Sequence, residues 1–172
     1  MSEMIRRIAI IGPESTGKTT LAKGLAAHFG TEWVPEYARQ YLKELGRQYT
    51  REDLKDIAQG QLILEAQQEE LVESLLICDT NLVVIKVWSE HKYGKLDQWI
   101  AEQVEKRKYQ LYLLTACDVP WERDDLRESQ FEREELFKKY KQFLDSNKLP
   151  YYILKGAHKE RMRRSIEIIN NL

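Results

Sequence analysis

Cysteine is scarce in this chain: Cys78 and Cys117 are its two cysteines, far apart, with no Cys-x-x-Cys spacing and no histidine pair nearby. That excludes a thiolate metal site and a disulfide scaffold, and both residues, next to predicted strands, are expected to be reduced core thiols of a cytoplasmic protein. The three histidines, His28, His91 and His158, are scattered without metal-ligand spacing and are assigned no site. No charge of one sign dominates, since 27 Lys and Arg face 28 Asp and Glu, so the basic excess that gathers on nucleic-acid phosphates is missing. Nothing approaches eighteen consecutive apolar residues, and the stretch Met1 to Arg7 carries no apolar signal segment, so neither a membrane span nor secretion is expected. Repeats, Gly/Ser linkers and low-complexity tracts are lacking too. At 172 residues, 42% of them hydrophobic, the chain is read as one domain over residues 1–172.

What is present is a complete phosphate-binding loop. Gly12-Pro13-Glu14-Ser15-Thr16-Gly17-Lys18-Thr19 matches G-x-x-x-x-G-K-[ST], follows the apolar run Ile8 to Ile11 and precedes a helix-forming stretch from Leu21 to Ala27. The two glycines allow a turn tight enough for successive N–H groups to face phosphate oxygens, and the following helix adds the positive end of its dipole. These eight residues, with Thr20 after them, are the expected ATP-binding residues. Lys18 is expected to reach the β- and γ-phosphates, and the Thr19 hydroxyl to bind Mg²⁺.

Four further apolar segments read as strands, at about 31–35, 75–79, 110–115 and 151–154, with helical patterns between them. Alternation of this kind predicts an α/β fold: a five-stranded parallel sheet with helices on both faces, three layers in all. The longest helix is expected over about 50–74, opened by Thr50, carrying Leu54, Ile57, Leu62, Leu64 and Leu71 and interrupted by Gly60. A last helix, about 158–171, turns Met162, Ile166 and Ile169 inward and presents Lys159, Arg161, Arg163 and Arg164 as a solvated basic face.

Ligands of open parallel sheets bind beyond the carboxyl ends of the strands, so the residues just after each strand are the candidates. Leu75 to Asp79 has the form of a Walker B strand, with Asp79 a metal-binding carboxylate. Glu36, after the second strand, is placed to accept the proton of an attacking hydroxyl or to hold ribose hydroxyls, and Arg39 shares its helix face. The charge-dense segment 118–135 suits a lid whose Arg123 and Arg127 act on the transferring phosphoryl group, whereas Arg133 reads as a solvated helix face. Among Trp88, Tyr93 and Trp99, Trp88 is the one expected to face a heteroaromatic ring.

The loop at 12–19, Glu36-Tyr37-Ala38-Arg39, Ile77 to Thr80 and Asp124 to Arg127 together resemble the four motifs of the NadR-type nicotinamide riboside kinase domain, in the same order. The chain departs from that pattern at Pro35, where an aromatic residue is usual, and in its shortened Asp-Asp-Leu-Arg. The resemblance runs from about residue 7 to the C-terminus. It implies a nucleoside-kinase-like P-loop fold that uses ATP and Mg²⁺ to phosphorylate the 5′-hydroxyl of nicotinamide riboside. Glu14, Glu36, Tyr37, Arg39, Asp79 and Trp88 are then the acceptor-binding residues, and a small nucleoside is the expected partner. A kinase for another nucleoside or nucleotide, and a regulatory P-loop ATPase, remain open; the guanine-reading Asn-Lys-x-Asp of GTPases is absent.

Overall fold

Strand β1 (Arg6–Ile11) alternates its fully buried side chains between two cores, and this alternation sets the layering. Ala9 and Ile11 face one cluster; Ile8 and Ile10 face the other. The computed structural model describes residues 4–127 and 130–172. Glu128, counted in the charge-dense segment, lies outside them.

After β1 come α1 (Lys18–Phe29), β2 (Trp33–Val34), α2 (Tyr37–Leu45), α3 (Asp53–Glu69), β3 (Leu75–Asp79) and α4 (Leu82–Tyr93). They are followed by α5 (Gln98–Lys106), β4 (Leu111–Thr115), α6 (Arg133–Ser146), β5 (Tyr151–Leu154) and α7 (His158–Asn170). The five strands are parallel in the order β2-β3-β1-β4-β5. Chain order therefore reverses around β1, which places the loop after it at the switch point of the sheet.

On one face α1 and α7 bury Leu21, Leu25, Ile168 and Ile169 against Ile8, Ile10, Leu111 and Leu113. On the other, α4 and α6 bury Val83, Val87, Leu136 and Tyr140 against Ala9, Ile11, Cys78 and Leu114. Each of the leucine, isoleucine and valine side chains contributes about 1.5–3 kcal/mol by leaving water. A third cluster, of Leu54, Ile57, Ile85 and Ile100, joins α3, α4 and α5 into a wing beside the sheet, and Tyr93 and Trp99 pack into it.

Three sequence expectations need correcting. The long helix is shorter than 50–74: it spans Asp53–Glu69, and Thr50 stands ahead of it as a capping residue, its N–H donating to Asp53 Oδ2 at 2.7 Å. Leu71, beyond the helix end, is exposed. Gly60 does not interrupt α3; a side chain there would run into the ring of Tyr37, so the glycine is the surface on which α2 rests. Cys78 is buried as expected, but Cys117 is only half-buried, its Sγ 3.4 Å from the carbonyl of Arg133.

In a solvated helix Gly→Ala gains about 1 kcal/mol. Gly60→Ala is expected to reverse that sign and cost about 1–3 kcal/mol, because the methyl group displaces Tyr37. Chemical denaturation of the two proteins reads the difference, and a stabilised variant would overturn the packing account.

Candidate functional site

The loop after β1 folds on its own polar atoms. Gly12 (φ 145°) presses its backbone against Thr115, where a side chain would collide, and Ser15 (φ 56°) and Gly17 (φ 80°) take left-handed backbone. Thr16 Oγ1 donates to the Pro13 carbonyl at 2.7 Å and lies 2.6 Å from Thr115 Oγ1, which anchors the loop to the end of β4. Lys18 Nζ donates to the Pro13 carbonyl at 2.7 Å. With Gly17 as its cap, α1 begins at Lys18 and points its unsatisfied N–H groups at the loop.

Behind the loop, Thr19 Oγ1 donates to Asp79 Oδ2 at 2.6 Å. Asp79 is almost wholly buried, and its Oδ1 has no hydrogen-bond partner. An unpartnered buried carboxylate oxygen costs free energy unless another group, such as a cation, meets it. Thr80 (φ 69°) and the Asn81 cap, whose Oδ1 accepts from Val83 N–H at 3.1 Å, turn the chain sharply from β3 into α4 and hold the carboxylate there. Among the described residues no three His, Cys, Asp or Glu side chains converge on one point. Thr19 and Asp79 thus fit a Mg²⁺ that takes most of its ligands from phosphate and water.

Charge is concentrated here against its solvation preference. Burial pushes the Lys18 ammonium down from its ordinary pKa, opposed by Glu36, Asp79 and Glu14. Burial likewise raises the Glu36 carboxyl, opposed chiefly by Lys18, and raises Asp79, opposed by the Thr19 hydroxyl and Lys18.

The loop opens into a cavity of about 400 Å³. Its far wall comes from the wing: Leu42, Tyr49, Leu54, Ile57, Ile85 and Trp88, with Glu36 and Arg39 nearer the loop. Trp88 Nε1 donates to Tyr49 Oη at 2.6 Å, which fixes the indole plane. Residues 118–127 cross the loop on the other side. Glu122 N–H donates to Ser15 Oγ at 2.8 Å, and Arg127 Nη1 reaches Ser15 Oγ at 3.3 Å and the Glu122 carbonyl at 2.6 Å. Asp124 Oδ2 accepts from Arg39 Nη1 at 2.9 Å, and its Oδ1 from Leu126 N–H at 2.9 Å, so one carboxylate ties this segment to α2 and shapes its turn.

Of the sequence candidates, the loop residues Gly12 to Thr20, Glu36, Arg39, Trp88 and Arg127 line the cavity, and Asp79 lies beneath Thr19. Tyr37 does not line it: its ring packs on Gly60 and its N–H donates to Gln61 Oε1 at 2.8 Å. Arg123 is exposed and also outside the wall. The solvated readings of Arg133 and Arg161 are overturned. Arg133 Nη1 donates to the carbonyls of Ser15 and Val119, both at 3.1 Å, and Arg161 is buried against the loop. Arg161 was legible in one respect, since it falls on the helical stripe it shares with Ser165, Ile168 and Ile169. His158, unassigned from sequence, lines the cavity at the start of α7.

The sequence profile of the AAA domain family matches residues 7–161. The trifunctional NAD biosynthesis/regulator protein NadR of Escherichia coli is 25% identical over 177 aligned positions, which cover 98% of this chain and 43% of the relative. The chain thus spans less than half the length of that curated relative. A crystal structure of NadR in complex with NAD and AMP-PNP superposes with a TM-score of 0.82 at 19% identity, over 97% of this chain and 49% of that one. A NadR structure in complex with NR superposes equally well. Thymidylate kinase from Candida albicans superposes with a TM-score of 0.73 at 16% identity, over 99% of this chain and 93% of its own. The fold is that of P-loop nucleoside and nucleotide kinases.

Asp79→Asn tests whether the buried carboxylate is kept for a ligand or for the fold. Because burial raises its folded pKa, the ionised form disfavours folding at pH 7, and the neutral amide is expected to raise the melting temperature there. That advantage fades as pH falls from the raised folded value to the unfolded carboxyl's value near ~3.9, below which both proteins are neutral at this position. The same variant is expected to bind Mg²⁺-nucleotide at least about 10-fold more weakly, from the loss of one charged ligand. Thermal melting across pH and calorimetric titration check both; a lower melting temperature with unchanged Mg²⁺ dependence would make Asp79 a structural cap.

Proposed function

The chain belongs to the AAA domain family, and from that premise we propose that it is an ATP-dependent kinase that phosphorylates the 5′-hydroxyl of a nucleoside, with nicotinamide riboside the acceptor its cavity fits best. The observation that carries this reading is the meeting of Lys18, Thr19, Asp79 and Glu36 at the junction of the phosphate loop and an apolar slot.

In this reading the loop N–H groups and Lys18 hold the triphosphate, Lys18 following the charge that develops between the β- and γ-phosphates. Thr19 and Asp79 hold Mg²⁺, which neutralises phosphate charge. The acceptor's 5′-oxygen forms the new bond to the γ-phosphorus as the bond to the β-bridging oxygen breaks. Glu36 takes the hydroxyl proton, and ADP departs. Arg127, carried by the segment that crosses the loop, meets the oxygens of the group in flight. Burial raises the affinity of the Glu36 carboxyl for a proton, which suits a base that must take one from an alcohol.

The slot supports a nucleoside over a nucleotide. A phosphorylated acceptor brings a dianion that needs cationic partners, and Arg39, the cation of α2 that lines the cavity, is already paired with Asp124 at 2.9 Å and lies 4.0 Å from Glu36. A cationic pyridinium gains from Glu36 and Glu14 and from the face of Trp88 what a neutral base does not. The similarity to NadR, of which one structure holds NR, points the same way.

With ATP and Mg²⁺, nicotinamide riboside is expected to show a higher kcat/KM than thymidine, uridine or adenosine, and Glu36→Gln to lose about 10²–10⁴-fold of that activity. A coupled ADP-release assay over the four nucleosides is the check. A neutral nucleoside as the better acceptor would move the reading to another nucleoside kinase; ATP hydrolysis with no acceptor phosphorylated would move it to an ATPase.

A further inference from the structure

Arg161, in the first turn of α7, is a cation 97% shielded from solvent that borders the cavity and donates to the phosphate loop. Three of its nitrogens are engaged. Nε donates to the Gly156 carbonyl at 2.9 Å, Nη1 to the Thr16 carbonyl, and Nη2 to the Ala116 carbonyl at 3.1 Å and to Asp118 Oδ1 at 2.5 Å. Asp118 is held in turn, because its Oδ2 accepts from Gly156 N–H at 2.6 Å. One rigid fork therefore joins the loop, the end of β4 and the entry to α7.

The contact with Thr16 has a stereochemical consequence. A trans peptide is planar, so the carbonyl of Thr16 and the N–H of Gly17 point in opposite directions. With the carbonyl pinned on Arg161, the Gly17 N–H is turned to the other side of the peptide. Gly17 sits at φ 80°, and glycine accepts the opposite sign of φ almost as readily, so the chain alone does little to prevent this peptide from flipping. Packing α7 against the sheet does not require a guanidinium, and an apolar side chain would fill that space without needing four acceptors.

We propose that Arg161 is a positioning residue of the phosphate loop: it locks the peptide between Thr16 and Gly17 so that the Gly17 N–H is presented to the phosphates of the nucleotide. This rests on the kinase reading above and adds to it a residue from the far end of the chain. Arg161 acts through the loop backbone, and its removal should be felt by any polyphosphate, whatever base it carries.

The test measures binding of ATP and of inorganic tripolyphosphate by calorimetry, beside thermal melting, in the full chain. Arg161→Lys keeps the charge but has one point of donation in place of the fork. It is expected to weaken both ligands by a similar factor, about 10- to 100-fold, the loss of one to two charge-assisted hydrogen bonds. Asp118→Asn, at a partly exposed residue whose loss opens no cavity, removes the counter-charge that aims the fork. It is expected to weaken both ligands in the same ratio by a smaller factor and to lower the melting temperature, because the ionised carboxylate is favoured in the fold. Being half-exposed and isosteric with its replacement, Asp118 leaves the protein folded at the temperature of the binding assay, and so carries the test if the lysine variant folds poorly. ATP and tripolyphosphate bound by both variants as tightly as by wild type would make Arg161 a tie between α7 and β4 and overturn the proposal, leaving the kinase reading intact. Loss of ATP binding with tripolyphosphate binding kept would also overturn it, since the defect would then lie at the base. A wild-type protein that binds neither ligand would overturn the kinase reading itself, and this proposal with it.

Discussion

The hydrogen bond from Thr19 to Asp79 is the joint on which the site depends. It crosses from the first turn of α1 to the carboxyl end of β3, two elements that meet because β1 and β3 pair in register, with Ile10 opposite Asp79. Asp79 accepts burial on nearly every side, leaves one oxygen unpartnered and is followed by a left-handed Thr80. Each of these features costs stability, and none helps the fold. Lys18 and Glu36 are half-buried beside Asp79, each displaced toward its neutral form by its partial loss of water and each held by the others' charge. Such a cluster is stable because the sheet beneath it is fully packed on both faces, so its cost is offset elsewhere.

The same principle appears at the opposite end of the molecule with the sign reversed. Glu65 of α3 is wholly buried, yet it accepts from Arg107 Nε at 2.8 Å and from Tyr109 Oη at 2.8 Å, and Arg107 also reaches Glu69 at 2.6 Å. Every charge there is met by a partner. That network clamps α3 to the chain entering β4 and keeps the wing in place against the sheet. Paired charge marks the scaffold, and under-satisfied charge marks the site.

Around the joint, three ties decide where the mobile-looking parts of the sequence go. Arg39 and Asp124 connect the wing to the segment crossing the loop, Ser15 receives that segment, and Arg133 bonds the loop's Ser15 carbonyl from the first residue of α6. The cavity is thus bounded by pieces far apart in sequence, with Glu36 on one side and Arg127 on the other.

Local patterns were enough for much of this. The glycine spacing at 12–19, the apolar runs of the strands and the carboxylate after β3 each act through neighbouring residues, so the parallel sheet, the phosphate loop and Asp79 were readable from the chain alone. Tyr37, Gly60, Arg133 and Arg161 were not. The ring of Tyr37 rests on Gly60, which looked like a helix breaker for want of that ring. Arg161 sits among exposed Lys159, Arg163 and Arg164, and only the packing of α7 behind the loop turns it from a solvated charge into a buried fork. The amino-acid sequence by itself determined which backbone segments bend, extend or coil, because those preferences are set within a few residues. The tertiary structure alone decided which charges lose their water, because desolvation depends on what the rest of the chain brings to the same place.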